Sequence, residues 1–257
     1  MSHLILSDQR EMWRRKPVLR QIYIDFYKRI LKHVGMGLTL EIGGGSGNLK
    51  EFLPEAISTD LVPSPWLDAA LDAQHLPFRT AVIRSIVMVD VLHHIESPIR
   101  FLREASRVLE PGGKLLMIEP AITPVSTLFY RRFHPEPVRM DADPLHDPVP
   151  NPDRAPFDAN QAIPSLLFEK YRQRFEEEFP EFRIEERQWF SLFAYPLSGG
   201  FRNWSLVPLW AVRPLIAFEN CIGQKLARFF GFRIFVVLEK KSNDYELALG
   251  KGECGRA

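Results

Sequence analysis

With 257 residues, 46% of them hydrophobic and 25% charged, the chain can bury one large core and falls outside disordered and fibrous compositions. Its 33 Lys and Arg against 32 Asp and Glu leave a net charge of +1, without the basic excess of a protein that tracks a phosphate backbone, so nucleic acid is not the expected partner. Cys221 and Cys254 lack the number and spacing of a disulfide framework or a zinc site, and no metal is expected. No stretch reaches the ~18 uninterrupted apolar residues of a spanning helix, since Arg213 and two prolines break the most apolar one, Trp204 to Phe218. There is no apolar leader-like run at the start, so a reduced, cytoplasmic setting is expected, with contact at a membrane surface left open.

In residues 1–35, Trp13, Leu19, Ile22, Tyr23, Phe26, Tyr27, Ile30 and Leu31 recur at three- and four-residue steps, which predicts an N-terminal cap of one or two amphipathic helices. Within 36–120, β-rich runs (Leu38 to Ile42, Ala56 to Thr59, Ile83 to Val89, Lys114 to Ile118) alternate with helical or turn-like stretches at βαβ spacing, which predicts a parallel sheet. Pro111-Gly112-Gly113 reads as a type II turn. Residues 120–164 hold 10 of the 21 prolines and no glycine, favouring stiff extended backbone over regular structure; 121–164 is expected to be an ordered lid over the sheet. Segment 165–241 predicts a charged helix (Ser165 to Phe179), a strand (Phe182 to Phe190), an insert and a last strand (Arg233 to Lys240), and 242–257 is a polar tail. All of this reads as one domain.

Residues 197–241 carry seven Lys or Arg against two Glu, together with Phe201, Trp204, Trp210, Phe218, Phe229, Phe230 and Phe232. Aromatics interleaved with cations suit a segment that lies in a membrane interface. They equally suit a helical insert packed on the sheet, with Trp204 and Trp210 buried, or the wall of an apolar pocket.

The run Leu38-Thr-Leu-Glu-Ile-Gly-Gly-Gly-Ser-Gly-Asn-Leu places glycines straight after a β run. Glycine there admits a positive φ and close approach of backbone to a ligand, where open α/β sheets bind nucleotides. The spacing is E-x-G-x-G-x-G over Glu41, Gly43, Gly45 and Gly47, with Asn48 where a pyrophosphate fingerprint would have its third glycine. Asp60, nineteen residues on at a second strand's end, suits the two hydroxyls of a ribose. Asp72 opens a polar loop in which a carboxylate could accept an adenine amine.

The order Glu41-x-Gly-x-Gly-x-Gly, Asp60, Asp72-Ala-x-x-Leu-Pro-Phe, Val89-Asp-Val-Leu-His-His-Ile and Arg107-Val-Leu-Glu-Pro-Gly-Gly, across about residues 38–120, resembles the class I S-adenosylmethionine-dependent methyltransferases, of the methyltransferase type 11 kind. The resemblance implies an α/β, Rossmann-like seven-stranded sheet in the order 3-2-1-4-5-7-6 with strand 7 antiparallel, and helices on both faces. It implies S-adenosylmethionine as cofactor and S-adenosylhomocysteine as product. By position, Glu41, Gly43, Gly44, Gly45 and Gly47 would lie by the methionine part, Asp60 and Leu61 by the ribose, Asp72 and Ala73 by the adenine, and Val89 and Asp90 by the methionine end. Arg84 departs from the aspartate usual near the start of the fourth strand.

Methyl transfer is an in-line displacement that needs alignment and a water-poor cavity more than catalytic side chains. His94, in the His93-His94 doublet, and His134, with Tyr130 and Glu136 nearby, are the candidate catalytic groups; the doublet can equally be structural. The block that relatives use on nucleobase nitrogens is absent, so a small apolar or lipid-linked acceptor, methylated on oxygen, carbon or nitrogen, is expected. The alternatives are a non-enzymatic S-adenosylmethionine-binding module and a nicotinamide-dependent oxidoreductase.

Overall fold

A computed structural model describes residues 2–242. Two helices come first, α1 (Ser2–Arg15) and α2 (Pro17–Leu31), the second opened by Pro17, whose fixed φ suits a first helical turn. Next come β1 (Thr39–Ile42), β2 (Ile57–Asp60), β3 (Ala69–Ala70), β4 (Ile83–Val89), α3 (Pro98–Val108), β5 (Leu109–Pro120) and α4 (Pro124–Phe133). The chain continues through α5 (Ile163–Ser165), a π-helical turn (Leu166–Lys170) and α6 (Arg172–Glu178) to β6 (Phe182–Phe190). Finally α7 (Ala194–Ser198), α8 (Leu209–Cys221) and α9 (Gln224–Phe230) lead into β7 (Arg233–Lys240). Residues 243–257, most of the expected polar tail and Cys254 with it, lie outside the described residues; Cys221 is an exposed free thiol.

The seven strands form one sheet in the order β3-β2-β1-β4-β5-β7-β6. All pairings are parallel except those of β7, which runs antiparallel to both β5 and β6. This is the Rossmann-like order expected above. β4 and β7 carry uninterrupted apolar stretches, Ile86 to Val89 and Ile234 to Leu238, because both faces of the sheet are covered. Phe101 and Leu102 of α3, Phe168 of the π turn and Phe175 of α6 pack on one face. Phe26 of α2, Ala194 of α7 and Val212 of α8 pack on the other. The crossover from β1 to β2 holds only a three-residue helical turn, Leu49–Glu51, and α2 covers that face instead, with Tyr27 against Phe52 at 4.9 Å between ring centroids.

Two sequence expectations need correction. The proline-rich stretch is not wholly extended: α4 forms in it because Pro124 sits at the first helical position and Thr123 and Ser126 cap the end reciprocally. The helix expected over Ser165 to Phe179 begins at Ile163 and is interrupted by the π turn. Arg84 has its own local role, since its side chain fills the space beside Gly35 and Gly37 and pairs with Glu110 at 3.2 Å.

One contact ties the chain's beginning to its last third. Lys16, between α1 and α2, is buried, and its Nζ donates to the carbonyls of Ser198 (2.6 Å), Gly200 (2.7 Å), Arg202 (2.6 Å) and Trp204 (2.8 Å). Burial lowers its pKa. Four carbonyl dipoles compensate the charge where no carboxylate does.

Candidate functional site

A cavity of about 630 Å³ opens at the carboxyl ends of β1, β2 and β4, the edge where open α/β sheets bind ligands. Its walls come from the glycine loop after β1, the end of β2 and the loop after β3 (residues 60–61 and 71–74), the turn after β4, the lid (residues 129–136 and 151–161), the segment 195–204 and the start of β7. Leu6 and Gln9 of α1 and Tyr23 and Tyr27 of α2 complete it.

Gly43, Gly44 and Gly45 line the cavity. Gly45 has φ +49°, and a Cβ built on it would meet nothing nearer than 3.8 Å, so backbone is open to the cavity there. Gly47 is not among the lining residues; Arg10 and Trp66 press against it. The loop is braced from outside. Arg10 Nη1 donates to the Ser46 carbonyl (2.6 Å), its guanidinium stacks on Trp66 (4.7 Å), and Trp66 Nε1 donates to the Gly45 carbonyl (2.8 Å).

Asp60, at the end of β2, accepts from the Gly45 amide through Oδ2 (3.0 Å) and from the Val62 amide through Oδ1 (2.9 Å). Each carboxylate oxygen retains acceptor capacity toward the cavity. Burial raises its pKa, against the opposing effect of those amides. Leu61, Ala73 and Val89 also line the cavity. Asp72 does so with its carboxylate held by the Gln74 amide (2.8 Å) and by His75 (3.2 Å). Burial pulls its pKa up, and these bonds outweigh that to leave it lowered. Asn48 Oδ1 is buried among these groups with no partner. An open glycine backbone, a carboxylate with spare lone pairs and an unpartnered acceptor fit an adenosyl amino-acid ligand, and these are the residues that would hold it.

Glu41 is buried beneath the loop, accepts a hydrogen bond from Ser58 Oγ, and has its pKa pushed up to about 7 by burial. Below pH 4.5 the folded and unfolded states both hold the proton. As pH rises through 7 the unfolded state ionises first, so this group's contribution to stability falls, by about 3 kcal/mol in full. Glu41→Gln keeps an acceptor for Ser58 and cannot ionise. Urea unfolding should find it more stable than the wild type at pH 8 by up to about that amount and no different at pH 4.5; an equal gap at both pH values would show that Glu41 does not carry the proton.

Asp90 follows β4 with φ +60°, a sparsely populated conformation for a residue with a side chain. It pairs with Arg233 of β7 at 2.5 Å and accepts from the Tyr23 hydroxyl at 3.1 Å. Burial raises its pKa and Arg233 opposes that. Arg233, 4% exposed, lies 4.1 Å over the Tyr195 ring.

The next turn carries the histidine doublet. His93 is buried, with Nδ1 2.7 Å from Glu119 Oε2 and Nε2 3.5 Å from Glu136 Oε2. Glu119 Oε1 in turn accepts from the Val91 and Leu92 amides, both at 2.8 Å. Burial pulls the His93 pKa down, but the two carboxylates outweigh it and raise it to about 9. For Glu136, burial is outweighed by His93, and its pKa falls to about 2. His94 is pushed down to about 4 by burial and by the neighbouring His93 charge. Its Nδ1 is buried without a partner.

Of the lid candidates, Tyr130 donates its hydroxyl to the Phe232 carbonyl (2.9 Å), and burial raises its pKa. His134 accepts the Glu136 amide on Nδ1 (3.3 Å), which leaves Nε2 to carry the ring proton, and burial lowers its pKa. Phe129, Phe133, Phe157, Tyr195, Phe201 and Phe232 form an aromatic wall beyond β4. The lid is fastened to the β4 end by Arg154, which donates to the carbonyls of His94 (2.8 Å) and Asp158 (2.9 Å). Glu119, Arg233 and Lys16 were not singled out from sequence. Glu119 left one trace, an acid closing the apolar run Leu115-Leu-Met-Ile.

The comparisons agree with this geometry. A family model described as a methyltransferase domain matches residues 40–117. Among curated proteins, none matches the sequence. An S-adenosylmethionine-dependent methyltransferase of Thermotoga maritima has a similar fold at 19% identity, covering 94% of this chain and 100% of its own, with a TM-score of 0.54. One from Archaeoglobus fulgidus does so at 15% identity, over 86% and 94%, with a TM-score of 0.52. Residues 40–117 match the model of a methyltransferase domain, and β6 and β7 complete a seven-stranded sheet whose fold is that of the S-adenosylmethionine-dependent methyltransferases it resembles.

Proposed function

We propose that the protein transfers a methyl group from S-adenosylmethionine to a small apolar acceptor, free or linked to a lipid. Bound there, S-adenosylmethionine supplies an electrophilic methyl group. The observation that carries the reading is one continuous cavity whose two ends differ in chemistry: carboxylates and open glycine backbone at β1 and β2, an aromatic wall beyond β4. In this reading Glu41, Gly43, Gly44 and Gly45 hold the amino-acid part of the donor, Asp60 and Leu61 the ribose, Asp72 and Ala73 the adenine, and Val89 and Asp90 the methyl-bearing end. The aromatic residues orient the acceptor and exclude water, which is most of what an in-line displacement asks of a protein. His134 offers a ring N–H to the acceptor, and Tyr130 holds the wall in place.

The outer surface supports a lipid-linked acceptor. Phe133 and Trp204 line the cavity and are also exposed, and Leu128, Leu206 and Trp210 (80% exposed) stand outside with Arg131, Arg132 and Arg202. Trp204 and Trp210 are therefore not buried against the sheet, as packing alone would have required. Apolar rings with cations suit peripheral contact with an anionic membrane, and no described helix is long and apolar enough to cross one.

The test is transfer from methyl-labelled donor into a cell extract, followed by phase partition, with and without anionic vesicles at low salt. Protein-dependent label in the organic phase is expected, together with co-sedimentation that fades as salt rises. Label confined to the aqueous phase would overturn the apolar acceptor, and absence from the vesicles would overturn the membrane contact.

A further inference from the structure

We propose that His93, His94 and Glu136 form a binding site for a divalent transition-metal cation on the wall of the cavity. Two imidazoles and one carboxylate converge there, from the turn after β4 and the lid segment after α4, with one donor atom from each within 4.8 Å of the others. All three residues line the cavity.

The surroundings of His93 are those of a metal ligand. A ligating histidine characteristically gives its second ring nitrogen to a carboxylate or a carbonyl, which fixes the tautomer and aims the other nitrogen. His93 does this through Nδ1 to Glu119, itself pinned by two backbone amides, and so directs Nε2 at Glu136. His94 has its Nδ1 buried and unpartnered, so that nitrogen remains free to ligate.

A purely structural role accounts for only part of this. A charged His93 clamped between Glu119 and Glu136 would fasten the lid without any ion. That clamp has no use for His94, whose ring is stacked 4.2 Å from His93 with an unsatisfied buried nitrogen. An orphan of this kind costs free energy, and a shared cation satisfies it while replacing a proton between the same three groups.

Imidazole and carboxylate donors select zinc, iron or cobalt over magnesium or calcium. Three protein ligands leave at least one position open, as in catalytic rather than structural sites. Since the open side faces the cavity, the position would be filled by water or by an oxygen of the acceptor. That last step rests on the methyl-transfer reading; the metal site itself does not.

The experiment uses the full chain in a Cys221→Ser, Cys254→Ser background, so that thiols contribute nothing, freed of metal by a chelator. Zn²⁺ titration by calorimetry should give one equivalent per chain, and Co²⁺ should give ligand-field absorption of a site with nitrogen and oxygen donors. His94→Ala and Glu136→Gln, each checked for native circular dichroism and cooperative melting, should weaken Zn²⁺ binding at least tenfold. His94→Ala removes no partner from the Glu119–His93–Glu136 clamp, which keeps a folded variant available. No stoichiometric binding, or unchanged affinity in both variants, overturns the proposal. Neither readout involves methyl transfer, so failure here leaves that reading standing, and failure of methyl transfer leaves the metal site standing.

Discussion

Asp90→Asn should destabilise the protein by about 3–5 kcal/mol, the cost of leaving a buried charge without its partner. Arg233 is almost fully buried, with its guanidinium on Asp90 at 2.5 Å. Asparagine preserves the size of the side chain and tolerates the φ of +60°, so the loss reports charge and not strain. The pair joins the end of β4 to the start of β7, and the Tyr23 hydroxyl adds α2 to the same point. Urea unfolding should show a lower midpoint with an unchanged slope. The double variant with Arg233→Met buries neither charge and should recover most of the loss, because the coupling between neighbours is what the cycle measures. A single variant as stable as the wild type would mean that the pair does not hold this end of the sheet.

Gly45→Val should raise the dissociation constant for S-adenosylhomocysteine at least 100-fold, or about 3 kcal/mol. The position is at φ +49°, and its Cβ would meet no atom closer than 3.8 Å. A Cβ therefore fits without a clash, at a backbone cost of about 1–2 kcal/mol, and the two γ-methyls of valine extend from it toward Gln9 and Leu6, into space the donor needs. Calorimetry on the folded variant decides the matter. Near-native affinity would remove the glycine loop from the donor site.

The sheet was legible because strands covered on both faces need apolar runs rather than alternation, and Ile86 to Val89 and Ile234 to Leu238 show such runs directly. β3 left no trace, since two exposed alanines carry neither pattern nor propensity. α4 was hidden by the very residue that starts it, because Pro124 reads as a breaker until its place at the first turn is known. In the site, the glycine loop, Asp60 and Asp72 could be read from spacing along the chain. Arg233 and Glu119 could not, since each gets its meaning from a partner 143 or 26 residues away. The histidine doublet lay between these cases. Its position at a strand end was visible, and the difference between its two rings, one clamped by carboxylates and one left with a free nitrogen, exists only after the lid has folded over it.

The carbonyl cage around Lys16 bears on the order in which the molecule is made. Its four acceptors lie 182 to 188 residues further along, so α1 and α2 leave the ribosome long before the groups that neutralise the cation exist. Closing so long a loop is slow and is rewarded only at the end. Until Trp204 has emerged, the apolar face of α2 lacks part of its covering, and the nascent chain depends on whatever shields such surfaces in the cell. The oldest part of the polypeptide is thus among the last to reach its final state.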